Sequence, residues 1–127
     1  MKLGELAGIP YKEKGHTPEG FDCYGFYAYG EKIGGHYVPV IDYEDTKEET
    51  FNRHEPDVEK LLTDNIKEVT YPVAEYDTVV FYNSKGESVH VGIYLGNNMF
   101  MHCDRHGVHV DCLLTYFRTN RRYFTWR

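Results

Sequence analysis

One cysteine lies where a helix is predicted to begin. In the stretch HTPEGFDCYGFYAYG, a turn rich in Pro and Gly precedes a run of apolar and aromatic residues, which continues until a Gly-Gly pair at 34 and 35. Asp22 is the predicted N-cap, which puts Cys23 in the first turn. Unpaired N–H groups and the positive end of the helix dipole favour a thiolate there. The sequence therefore predicts a reactive thiol at Cys23.

Two histidines are predicted to lie on one side of a sheet. In the strand SVHVGIYLG, aliphatic residues alternate with His90, Gly92 and Tyr94, so His90 lies opposite the aliphatic face, beside a glycine that leaves space. His102 follows in the next strand, NNMFMHC, and the intervening turn makes the two strands neighbours. Cysteine catalysis needs a thiol, an imidazole that takes its proton, and a polar group that fixes the imidazole tautomer. The sequence supplies all three.

These motifs carry a resemblance to a known family. GIPY…HTPEGFDCYG, followed far downstream by VHVGIYLGNNMFMH, resembles the NlpC-type cell-wall cysteine peptidases, a papain-like family that cleaves peptidoglycan stem peptides. The resemblance covers roughly residues 8 to 35 and 73 to 117. It implies that Cys23 is the nucleophile, His90 the general base and His102 the third, polar member of a triad. It also implies a papain-like core, with the catalytic helix packed on an antiparallel sheet of about four to six strands.

The resemblance also implies a reaction and two further site residues. The Cys23 thiolate is expected to attack an amide carbonyl and form an acyl-enzyme, and His90 to protonate the leaving amine before water releases the acyl group. Tyr11 matches a tyrosine whose hydroxyl points into the site of similar enzymes, and it is expected to assist the oxyanion hole. Tyr24 stands where the family usually carries a small residue. Tyr24 and Tyr27 lie one helical turn apart, and they are expected either to line the wall of the groove or to pack in the core. No cofactor is needed.

Length and patterning predict one α+β domain over residues 1–127. The chain has 127 residues, of which 41% are hydrophobic, as in a folded globular protein. After the helix, four segments with a period of two predict antiparallel strands: DTVVFYNS, SVHVGIYLG, NNMFMHC and GVHVDCLL. Residues 36–72 are interpreted as an acidic insertion or rim, with an amphipathic helix around Val58 to Ile66.

Charge and hydropathy restrict the predicted partners. A net charge of −6 disfavours nucleic acid. No apolar run is long enough to span a membrane, and the first residues lack the apolar core of a secretory signal. The sequence thus predicts a soluble protein made in the cytoplasm, with thiols rather than disulfides. The basic residues near the end are interpreted as a solvated strand face and receive no role: Arg118, Arg121, Arg122 and Arg127.

Metal binding is an alternative interpretation of the histidines near the C-terminal end of the chain. The stretch HCDRHGVHVDC concentrates His, Cys and Asp, but zinc ligands usually pair two to four residues apart on knuckles or helix turns. Here His102 and Cys103 face opposite sides of a strand, so adjacent ligands diverge. The sequence therefore predicts no metal ligand: Cys103 and Cys112 are interpreted as packing residues, and His106 and His109 as turn and surface residues.

Two other function classes stay open. Stand-alone domains without an export signal resemble versions encoded with bacteriophage tail genes, in which a peptidase travels in the virion. One alternative is therefore a tail assembly component that contacts tail proteins and keeps the fold with little or no turnover. A thiol amidase or acyltransferase that acts on another amide is the weaker one. The peptidase of peptidoglycan peptides is the leading hypothesis because the chain keeps the order of cysteine, histidine and polar residue.

Overall fold

A six-stranded antiparallel sheet packed on an eleven-residue helix forms the main body of the protein, in a computed structural model that describes residues 1–39 and 57–127. The elements in chain order are a 3-10 helix (Leu3–Leu6), β1 (His16–Thr17), β2 (Gly20–Phe21), α1 (Cys23–Ile33), α2 (Val58–Leu61), β3 (Ile66–Val69), β4 (Thr78–Tyr82), β5 (Ser88–Gly96), β6 (Met99–Asp104), β7 (Gly107–Cys112) and β8 (Arg121–Trp126). The sheet order is β3-β8-β4-β5-β6-β7, and β1 and β2 form a separate hairpin. The predicted α+β class is confirmed.

Helix α1 lies against β5 and begins at the predicted residue, Cys23. Close approach to the sheet is possible because Gly30 has no side chain: a Cβ there would lie 2.5 Å from Ile93 Cδ1 and 3.0 Å from Leu3 Cδ1. Most of the helix is buried, so tertiary packing rather than helix propensity stabilises it. None of the helices in the described ranges is long and apolar enough to cross a bilayer.

The two faces of the sheet carry separate apolar clusters. Val80, Val91 and Ile93 pack on the face that α1 covers, in a cluster that also contains Cys23. The opposite face carries an aromatic cluster that includes Phe81 and Phe100. Because paired residues of an antiparallel sheet share a face, the pairing of Phe81 with His90 places His90 on the side away from α1.

The described part of the acidic segment joins the sheet. The predicted helix from Val58 to Ile66 is wrong in extent: α2 ends at Leu61, and Ile66 instead begins β3, where it pairs with Trp126. Isoleucine is β-branched and fits a half-buried strand, which overrides the short amphipathic pattern. Residues 66–69 thus form one edge strand of the sheet. Residues 40–56 of the predicted rim lie outside the described residues.

One of the C-terminal arginines fastens this edge. The Arg122 guanidinium on β8 donates to both oxygens of Glu59, at 2.6 and 2.9 Å, and to both oxygens of Glu68, at 2.5 and 3.1 Å. The two carboxylates hold the pKa of Arg122 above its usual value. Arg122 is partly exposed, and its ion pairs tie α2 and β3 to β8.

Candidate active site

Cys23 is the first residue of α1, and its position is set by the turn before it. The Asp22 backbone is extended, and its carboxylate accepts a hydrogen bond of 2.6 Å from the Gly25 N–H, so Asp22 caps the helix. Gly25 packs on the loop before β1: a Cβ on Gly25 would lie 1.9 Å from the Gly15 carbonyl oxygen. The first helical turn therefore sits directly on that loop, which holds Cys23 in place.

The sulfur of Cys23 lies in a fork between β5 and β6. Pairing of these strands ends at Ile93 and Met101, and β6 then continues with β7 alone. In the gap, the Val91 N–H donates to Cys23 Sγ at 3.1 Å, and Sγ lies 3.4 Å from the Val91 carbonyl oxygen. The Cys23 sulfur thus contacts the backbone groups of Val91 that a neighbouring strand would otherwise pair with. It therefore lies next to the peptide that joins His90 to Val91.

His90 stands beside this fork on the face away from α1. Its ring packs on Phe81, with centroids 5.6 Å apart, and its Nε2 lies 2.6 Å from His102 Nδ1. Burial lowers the pKa of His90 well below 6.5, and the charges of His102, Arg118 and His109 act in the same direction. The resting imidazole is therefore neutral, which is the form that accepts a proton. The contact with His102 uses Nε2 of His90, so Nδ1 is the ring nitrogen of His90 that His102 does not contact.

His102 extends this hydrogen-bonded chain to a carboxylate. The His102 ring is fully buried and stacks on Phe100, and its Nε2 lies 2.7 Å from Asp111 Oδ2. Burial lowers the pKa of His102, although its hydrogen bond with Asp111 opposes the shift. Asp111 is not among the site residues predicted from the sequence. The short hairpin turn could have indicated this position. It pairs His102 with His109, and Asp111 lies two residues after His109 on the same face of the sheet.

The two tyrosines predicted near the site lie in different surroundings. Tyr24 is 2% exposed within the core cluster, and its hydroxyl donates to the Pro39 carbonyl oxygen. Burial, followed by the charges of Tyr37 and Asp22, raises the pKa of Tyr24 to about 12. Tyr24 is thus a core residue, and its bulk is accommodated inside. Tyr11 is partly buried and bridges to Phe21, and its contribution to the oxyanion hole stays a prediction.

Three side chains of the β6–β7 hairpin could hold a metal ion. One ligand atom each of His102, His109 and Asp111 lies within 4.8 Å of the other two. His102 and Cys103 face opposite sides of β6, whereas His109 pairs with His102 across the hairpin and Asp111 follows on the same face. His109 and Asp111 remain partly exposed, with side-chain exposures of 34% and 39%.

Comparison with known proteins identifies the family. The profile of the NlpC/P60 family matches residues 8–126, so the chain belongs to the NlpC/P60 family. The chain is 32% identical over 108 residues to a protein of Bacillus subtilis (strain 168) described as probable peptidoglycan endopeptidase LytE. That match covers 85% of this chain but only 27% of the Bacillus protein, so this chain corresponds to about a quarter of its relative.

Solved structures share the fold. The NlpC/P60 domain of peptidoglycan hydrolase SagA superposes with a TM-score of 0.64 at 22% identity, covering 97% of this chain and 91% of that domain. NlpC2 from Trichomonas vaginalis gives a TM-score of 0.69 at 16% identity and covers 98% of this chain and 44% of that chain. At these identities the likeness concerns the fold alone, and the family fold inferred from the sequence motifs is confirmed.

Proposed function

We propose that this chain is a cysteine peptidase that hydrolyses an amide bond in the stem peptides of peptidoglycan. The observation that carries the proposal is the hydrogen-bonded chain from His90 through His102 to Asp111, which starts beside the fork that holds the Cys23 sulfur. Membership of the NlpC/P60 family and the likeness to a probable peptidoglycan endopeptidase support the substrate class.

The chain of hydrogen bonds selects the tautomers needed for catalysis. An ionised Asp111 only accepts, so the proton of neutral His102 resides on Nε2 and its Nδ1 carries a lone pair. That lone pair accepts from His90 Nε2–H, which leaves the lone pair of neutral His90 on Nδ1. Asp111 and His102 thus act as positioning residues, and His90 Nδ1 is the base for the thiol.

The reaction follows from these roles. Cys23 gives its proton to His90 as its sulfur bonds to the amide carbonyl carbon, and the N–H of Cys23 at the helix start, with the Tyr11 hydroxyl, stabilises the oxyanion. The C–N bond then breaks while the imidazolium protonates the leaving amine, which leaves a thioester. Water gives a proton to His90, attacks the thioester and releases the carboxylic acid with the regenerated thiol.

Product analysis tests this function. Peptidoglycan and defined muropeptides are incubated with the protein, and the fragments are identified by mass. We expect pairs of fragments that together gain one water at a bond between two stem residues. The matched control is the same protein alkylated beforehand with iodoacetamide, which should release none.

Other products would contradict the proposal. Release of the complete peptide stem from its sugar would identify an amidase instead. If peptidoglycans of different stem compositions all stay intact, the peptidase is excluded, and the alternative of a phage tail component without turnover becomes the better account.

Asp111→Asn tests the positioning chain. The Asn amide offers N–H donors as well as an acceptor, so the preference for the Nε2–H tautomer of His102 weakens. We expect kcat to fall about 10- to 100-fold, as for other residues that orient a catalytic ligand, with KM nearly unchanged. Steady-state kinetics on a defined muropeptide measures both constants.

Asp104→Asn provides the matched control for this prediction. Asp104 lies on the same hairpin and contacts His109 and the His106 N–H rather than His102. The kcat of Asp104→Asn should stay within about twofold of the wild-type value, because the Asp104 side chain is outside the hydrogen-bonded chain from His90 to Asp111. Equal kcat values for Asp111→Asn and the wild type would remove Asp111 from the mechanism.

A further inference from the structure

We propose that His102, His109 and Asp111 form a site for a divalent transition metal of the zinc type, and that an ion bound there switches the thiol site off. The switching part rests on the proposed function. The three residues come together because the β6–β7 register pairs His102 with His109, and Asp111 follows two residues along on the same face. Asp111 Oδ2 lies 2.7 Å from His102 Nε2 and 3.1 Å from His109 Nε2.

The hydrogen bonds of His109 prepare it as a ligand. Its Nδ1 lies 2.9 Å from the Gly107 carbonyl oxygen, which only accepts, so Nδ1 carries a proton. Nε2 then faces the carboxylates of Asp111 and Asp104, at 3.1 and 3.4 Å, which also only accept. The lone pair of this nitrogen in a neutral imidazole therefore faces two acceptors, and a metal ion bound there would satisfy all three groups. Metal-binding histidines usually hold their second nitrogen in this way.

The donor set suits zinc and its neighbours. Two imidazole nitrogens and a carboxylate, with a fourth position open to water, are a common zinc set. Bonds of about 2.0–2.1 Å place tetrahedral ligand atoms about 3.3 Å apart. The two distances to Asp111 Oδ2, 2.7 and 3.1 Å, lie close to this value, and the two imidazole nitrogens lie within 4.8 Å of each other. The ion would enter from solvent past His109 and Asp111, which are partly exposed, and reach buried His102 from its Nε2 side.

Occupancy reverses the tautomers on which catalysis depends. A metal ion takes the lone pair of His102 Nε2, so the proton of His102 moves to Nδ1. That proton is then donated to His90 Nε2, and the proton of neutral His90 must reside on Nδ1. Nδ1 is the nitrogen that accepts the Cys23 proton in the proposed reaction. A bound ion therefore leaves the sulfur in place but removes its base.

Cobalt titration tests the site independently of activity. Metal-free wild-type protein, titrated with Co²⁺, should develop the visible bands of a tetrahedral site with nitrogen and oxygen ligands and no sulfur-to-metal charge-transfer band, and Zn²⁺ should displace the cobalt. His109→Gln removes one ligand outside the catalytic chain and should bind at least tenfold more weakly. Equal binding by His109→Gln, or a sulfur band that disappears in Cys23→Ala, would overturn the site.

Alkylation of Cys23 tests the switch. Iodoacetamide labelling, located by peptide mass, should slow at least tenfold when Zn²⁺ is added to the wild type, and should keep the metal-free rate in His109→Gln. An unchanged rate in zinc-loaded wild type would overturn the switch, as would equal slowing in both proteins. Hydrolysis of muropeptides is measured separately without metal: its absence would contradict the proposed function and leave the cobalt result intact.

Discussion

Cys23→Ala is expected to abolish hydrolysis of stem peptides, lowering kcat/KM by about 10⁴-fold or more. Cys23 is the nucleophile in the proposed reaction, and it lies at the helix start in the fork between β5 and β6. Alanine removes the sulfur but keeps the backbone, so the N–H groups of the first turn remain. Fragment release from a defined muropeptide, followed by mass over time, measures the loss.

A second cysteine supplies the matched control. Cys112 ends β7 and is partly exposed, and it lies on the face of that strand opposite to its neighbour Asp111. Cys112→Ala should retain wild-type kcat/KM within about twofold. Circular dichroism and thermal unfolding of both variants separate chemistry from folding. Turnover by folded Cys23→Ala above one tenth of the wild-type rate would exclude Cys23 as the nucleophile.

Glu31→Gln is expected to stabilise the protein at pH 8 by roughly 3 kcal/mol and to flatten its pH dependence. Glu31 is fully buried in α1, and burial, with Asp77 nearby, raises its pKa from 4.5 to about 9. Its Oε2 lies 3.0 Å from Nδ1 of His36, whose pKa burial lowers. A protonated Glu31 therefore donates to neutral His36, and glutamine preserves that hydrogen bond through its amide N–H.

The sign of this effect follows from proton binding. Between pH 4.5 and about 9 the folded state holds a proton on Glu31 that the unfolded state has released. The contribution of Glu31 to the free energy of unfolding has its full value below pH 4.5 and decreases as pH rises towards 9. Urea unfolding at several pH values measures it, with exposed Glu19→Gln as the control. If the free energy of unfolding changes with pH equally in Glu31→Gln and in the wild type across this range, Glu31 is ionised in the folded protein and the prediction is contradicted.

Local patterns were sufficient to predict the elements that present the thiol and the imidazoles. The Asp-Cys pair after a turn identified the start of α1, and the period of two identified β4 to β7. These features depend on neighbours along the chain. β3 was mistaken for the end of a helix because its partner, β8, lies more than fifty residues away, and the short apolar pattern around Ile66 suits either structure.

The connections between the site residues depend on register and could not be read from single strands. Asp111 meets His102 only because the β6–β7 turn sets the pairing. The close packing of Phe100 and His102 on β5 depends on Gly92: a Cβ there would lie 2.8 Å from Phe100 Cδ2 and 3.4 Å from His102 Cβ. The sequence predicts open space beside this glycine, and side chains of β6 fill that space.

The most direct measurement of the central claim is the rate of iodoacetamide labelling at each cysteine at pH 6, in metal-free wild type and in His90→Gln. Exposure alone would favour Cys112, because Cys23 is 4% exposed and Cys103 is fully buried. If His90 takes the proton of Cys23, Cys23 reacts at least tenfold faster than Cys112 in the wild type, and this advantage is lost in His90→Gln. Labelling of Cys112 ahead of Cys23 in the wild type, or equal Cys23 rates in both proteins, would contradict the account.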